Sequence, residues 1–127
     1  MNKRIIITAA MLGLIAVVLG AFGAHGLKGR VGAGDLGNWK LGVSYQFYHT
    51  LALLFLSSFS KYKTRLINFS YLAFTAGVFL FSGSLYLLST HTLTGINTMI
   101  IGPITPIGGL FLILGWLMLL LAAIKNK

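Results

Sequence analysis

The chain has 127 residues, a hydrophobic fraction of 57%, a mean hydropathy of +0.89, ten Lys and Arg against a single acid, and no cysteine. Soluble domains run about 45–50% apolar and about 25% charged, so the 9% charged content here excludes a disordered chain and argues against an ordinary soluble domain, which could not hide this much apolar surface at this size. Without cysteine there is no disulfide framework or thiolate metal site, and with Asp35 as the only acid there are no paired carboxylates.

The first predicted element is an apolar run over 5–24, twenty residues without a charge. Lys3 and Arg4 before it resemble the basic region of a signal peptide, but the run is too long for a typical signal core and is expected to be a retained transmembrane helix. Residues 25–40 follow as a Gly-rich connection carrying Lys28, Arg30, Asp35 and Lys40, with Asp35 expected to cap the next helix and Trp39 to mark an interface. The second helix is predicted over 36–60 and the third over 66–89, joined by a tight basic loop holding Lys61, Lys63 and Arg65. Residues 90–105 carry no charge; Gly102-Pro103 should break a helix there, and Thr105-Pro106 reads as the cap and first residue of a fourth helix over 106–125. Apolar and polar residues do not alternate, so strands are not expected.

These elements predict an all-α, polytopic membrane protein: one domain over 1–127, a four-transmembrane-helix bundle with short loops. Lys3, Arg4, Lys61, Lys63, Arg65, Lys125 and Lys127 fall on one side, against Lys28, Arg30 and Lys40 on the other. The excess places both termini in the cytoplasm, within a cell inner or plasma membrane. The net charge of +9 is thereby assigned to lipid headgroups, not to nucleic acid.

Small residues recur at helical spacing. Ala9, Gly13, Ala16, Gly20 and Gly23 step along the first helix, Ser70, Gly77 and Ser84 along the third, and Gly108, Gly115 and Ala122 along the fourth. Such stripes let membrane helices approach closely, so Gly13, Gly20, Gly77, Gly108 and Gly115 are the predicted packing positions, whether within the bundle or against a second subunit. The second helix carries the densest polar face, with Tyr45, Gln46 and His49 a turn apart. His49 fits two readings, a proton- or ligand-handling group or interhelical glue, bonded to Ser82, Ser84 or Tyr86 of the third helix. With no carboxylate near it, glue is the favoured one. His25, between Gly23, Ala24 and Gly26, is either the edge of a ligand pocket or a helix C-cap. His25, His49 and His91 share no ligand spacing, so no metal and no cofactor are expected.

Four blocks then stand out together. They are Gly20-Ala21-Phe22-Gly23-Ala24-His25-Gly26-Leu27, Tyr45-Gln46 with His49-Thr50-Leu51-Ala52, Phe81-Ser82-Gly83-Ser84-Leu85-Tyr86, and Thr105-Pro106-Ile107-Gly108-Gly109 with Phe111 and Gly115-Trp116. In this order they resemble the YgdD-like family of small bacterial inner-membrane proteins. The resemblance implies four helices in the inner membrane and brings no reaction with it. No nucleophile motif or phosphate loop appears, so the chain is not expected to be an enzyme. The expected role is that of a structural, accessory or interaction protein, whose partners are lipids and either a second copy or a larger membrane complex. The alternative is a small transporter or channel, proton-linked or for a lipophilic substrate, working through the polar face around His49.

Overall fold

A computed structural model describes residues 2–59 and 65–125, and among them every regular element is helical. Helix α1 spans Lys3–Phe22, and the Asn2 side chain caps it by accepting from the Ile5 amide. Its buried stripe, Ile5, Ala9, Leu12 and Ala16, keeps the small residues on the inner face. At its far end the helix widens into a π-helical turn over Gly23–Leu27 instead of stopping at His25. The glycines explain why. A Cβ on Gly23 would stand 2.5 Å from the Trp39 ring and one on Gly26 would stand 2.6 Å from the Phe22 ring. Two absent side chains therefore let the wider turn close over buried Leu27. Gly29, at φ 83°, supplies the left-handed turn that follows.

Helix α2 spans Ala33–Ser57, capped by Gly32. Asp35 is not the cap; it lies in the first turn, where the helix dipole favours an acid, and its carboxylate comes within 3.7 Å of His91 Nδ1. Helix α3 spans Arg65–Ser89. The uncharged connection is partly helical: α4 over His91–Thr94 ends on Gly95, and α5 over Thr98–Ile101 is capped by Asn97. After the Gly102-Pro103 break, α6 runs over Ile104–Lys125. It begins ahead of the expected Thr105 cap because the Thr105 hydroxyl is engaged by Ser84 at 2.6 Å. The predicted basic loop at Lys61 and Lys63, and Lys127, lie outside the described residues.

The long helices form a row. α2 packs on α1 and on α3, and α3 makes its most extensive contact with α6. A backbone bond from Asn2 to the Ser57 carbonyl, 2.9 Å, levels the start of α1 with the end of α2. One core joins all four helices through Ile5, Leu12, Leu53, Leu56, Phe74 and Leu112. The outward faces are apolar: Leu14, Phe79, Ile113 and Ile124 are all more than 60% exposed, a surface suited to lipid rather than water. Among the described residues three segments are long and apolar enough to cross a membrane: Lys3–Leu27, Arg65–Ser89 and Thr98–Lys125. Helix α2 is as long as α3 but falls outside that set, its hydropathy lowered by Tyr45, Gln46, Tyr48 and His49.

Candidate functional site: a polar spine across the helix row

Gln46, His49 and Thr50 of α2 face inward, and Gln46 ties three helices together. Its Nε2 donates to the Leu12 carbonyl of α1 at 2.8 Å, and its Oε1 accepts from the Tyr86 hydroxyl of α3 at 2.6 Å. Above it, towards the start of α2, Ser82 donates to the Gly42 carbonyl at 2.7 Å and Trp39 donates to the Leu19 carbonyl at 2.8 Å. Gly42 makes the α2–α3 crossing possible, since a Cβ there would meet the Tyr86 ring at 2.9 Å.

His49 is buried, 4% exposed, and its partner is not the one expected. Nδ1 lies 2.7 Å from the Tyr45 carbonyl, and the Trp116 indole N–H of α6 donates to Nε2 at 3.1 Å. A carbonyl only accepts and an indole N–H only donates, so the bonds require a neutral ring with the proton on Nδ1. Phe74 and Trp116 enclose the imidazole, with ring centroids at 5.4 and 5.9 Å. The expected bond to Ser82, Ser84 or Tyr86 fails on axial level. In the antiparallel α2–α3 pair Ser82 faces Gly42 and Tyr86 faces Gln46, about one to two helical turns from His49 at 1.5 Å per residue. Ser84 looks away altogether, bonded to Thr105 of α6 and to the Phe81 carbonyl.

Tyr45, Gln46, His49, Ser82 and Tyr86 thus come together as a connected spine, while Ser84 belongs to a separate α3–α6 contact. His25 stands apart, exposed on the π-helical turn. It lies in the last turn of that segment, which ends at Leu27 with Lys28 as the C-cap. Among the described residues no three His, Cys, Asp or Glu side chains gather as a metal-ligand set.

The glycines differ sharply in what surrounds them. Gly108 lets the α6 backbone touch that of α3: a Cβ there would stand 2.3 Å from the Phe81 amide nitrogen. At Gly115 it would stand 2.4 Å from the Phe74 ring, and at Gly77 2.5 Å from the Leu112 side chain. Gly13 is snug against Thr50 at 3.3 Å, and Gly20 meets Val43 at an ordinary 3.5 Å.

Sequence reasoning missed Trp116 and Trp39 as interhelical donors, and the Ser70 bond to the Gly115 carbonyl at 2.8 Å. A usable signal existed for Trp116. A tryptophan twelve residues into an apolar helix is too deep for an interfacial belt, and its N–H needs a partner there.

A family profile described as a protein of unknown function, DUF423, matches residues 19–109. That span holds the first three sequence blocks entire and the fourth as far as Gly109. The chain is 43% identical over 123 residues to a UPF0382 membrane protein of Staphylococcus aureus, with 97% of each chain covered. It is 42% identical over 123 residues to one of Staphylococcus haemolyticus, again covering 97% of each. Against the UPF0382 membrane protein YwdK of Bacillus subtilis it is 43% identical over 126 residues, covering 97% of this chain and 98% of that one. No solved structure matches.

Proposed function

As the chain belongs to the DUF423 family of membrane proteins, we propose that it is a YgdD-like, four-span protein of the bacterial inner membrane. Its role in this reading is structural or accessory, as a rigid packing unit for itself or for a larger membrane complex, without a reaction of its own. The observation that carries this is the engagement of Gln46 and His49. Gln46 is bonded on both sides and His49 on both ring nitrogens. A histidine passing protons needs a ring nitrogen free to exchange them with water or a carboxylate; here Nδ1 is bonded within α2 and Nε2 ties α2 to α6.

The polar spine also supports α2 as the fourth span. Its 25 residues extend about 37 Å at 1.5 Å per residue, enough for a hydrocarbon layer of about 30 Å. Its Gln46, His49 and Thr50 side chains are buried among α1, α3 and α6. The basic residues bias the ends of α1, α3 and α6 near Arg4, Arg65 and Lys125 towards the cytoplasm.

The test is cross-linking in native membranes followed by mild-detergent extraction and mass spectrometry. The accessory reading expects a defined cross-linked species, either the chain with itself or with one recurrent membrane partner. A chain that extracts alone with lipid and, in liposomes, carries a proton-linked flux abolished by His49→Phe would replace it with the transporter reading.

A further inference from the structure

Tyr45 and Tyr48 raise a separate question. Their rings lie 5.6 Å apart on the face of α2 that looks toward α6, beside a groove of about 730 Å³ bounded by α2, Phe81 of α3, and Gly109, Ile113 and Trp116 of α6. Tyr48 is 58% exposed and Ile113 is 64% exposed, so the groove opens on the lipid-facing surface. Unlike Gln46, His49 and Tyr86, neither hydroxyl has a hydrogen-bond partner among the described residues. At 1.5 Å per residue, Tyr45 and Tyr48 lie about 18 and 14 Å from the Ser57 end of α2, near mid-helix and short of either interface. A phenol left there without an acceptor is costly, because hydrocarbon offers none.

We propose that this groove binds a neutral, membrane-dissolved molecule whose planar ring bears carbonyl acceptors for the Tyr45 and Tyr48 hydroxyls and whose apolar tail runs out into lipid. Three features select that class. No charged side chain lines the groove, which disfavours a phospholipid headgroup, and at this depth phospholipid ester carbonyls are out of reach. The walls are aromatic, with Tyr45 and Phe81 centroids 4.6 Å apart and Trp116 opposite, which suits a flat ring. The two donors sit three residues apart on one wall, matching acceptors carried on one rigid ring. The volume lies within the range of small-molecule sites.

The probe is decyl-ubiquinone, titrated into the full chain in phosphatidylcholine nanodiscs with tryptophan fluorescence as the readout. Quenching should saturate, and the saturable part should vanish in Trp116→Phe. Tyr45→Phe and Tyr48→Phe remove hydroxyls that hold nothing within the protein, so melting should stay at wild type. The dissociation constant should rise about fivefold for each hydroxyl removed. Gly109→Leu should fill the groove and abolish saturation; a Cβ there has ordinary room, 3.7 Å from the Phe81 ring, and an unchanged melting temperature checks that the chain stays folded. Linear, unsaturable quenching in the wild type would overturn the proposal. So would saturable binding that both tyrosine variants leave unchanged, or a dimer, seen by native mass spectrometry and lost in Gly109→Leu, that leaves no probe binding.

Discussion

Replacing Gln46 with leucine removes the residue that links α1, α2 and α3 while nearly preserving its volume. Two bonds go: the 2.8 Å donation to the Leu12 carbonyl and the 2.6 Å acceptance from the Tyr86 hydroxyl. Interhelical bonds in membranes average about 0.6 kcal/mol each. The Leu12 carbonyl keeps its place in the α1 ladder and loses little. The Tyr86 hydroxyl, by contrast, is left facing apolar groups, at about 1–3 kcal/mol for an orphaned donor. Gln46→Leu is therefore expected to cost about 2–3 kcal/mol in all. The assay is unfolding in mixed micelles of rising SDS fraction, followed by tryptophan fluorescence. Most of the loss should sit in the orphaned hydroxyl, so adding Tyr86→Phe to Gln46→Leu should restore part of the stability. A cost below about 0.5 kcal/mol, or a double variant that is worse than the single one by the full Tyr86→Phe effect, would refute the idea that this spine holds the helices together.

Gly108→Ala should lower the melting temperature well below that of Gly20→Ala. The first drives a methyl into α3 backbone, where overpacking costs about 1–3 kcal/mol, while the second meets Val43 at 3.5 Å and should melt like the wild type. His49→Leu removes the acceptor of the Trp116 N–H. It should shift the Trp116 near-ultraviolet dichroism and, by orphaning that N–H, cost about 1–3 kcal/mol, whereas His25→Leu, on an exposed turn, should change neither. A C-terminal fusion to a reporter active only outside the cytoplasm should be silent, and a fluorescent protein in its place should be bright; the reverse pattern would invert the topology.

Much of this protein is legible without coordinates. An apolar content of 57% with one acid leaves a short chain no aqueous surface to live behind, so the helical membrane class follows from composition. That the chain resembles a family of small membrane proteins without a known reaction is legible because local motifs such as Gly23-Ala24-His25-Gly26 need no partner to be read. The candidate polar residues are legible too, because in a membrane helix a Gln or His is conspicuous against leucine. Their partners are another matter. Periodicity places Gln46 and His49 on one face of α2, but which helix meets that face, and at what height, depends on where backbones can touch. That is decided at Gly42, which admits Tyr86, and at Gly108 and Gly115, which draw α6 onto Phe81 and Phe74. With α6 seated there, Trp116 reaches His49 and the serines of α3 do not. The π-helical turn at His25 has the same origin: glycine permits a C-cap and a wider turn equally, and the Trp39 and Phe22 rings against Gly23 and Gly26 choose the wider turn. Hydropathy and motif are properties of the local chain; the pairing of buried polar groups is a property of close packing between segments far apart in sequence, and only the assembled helices determine it.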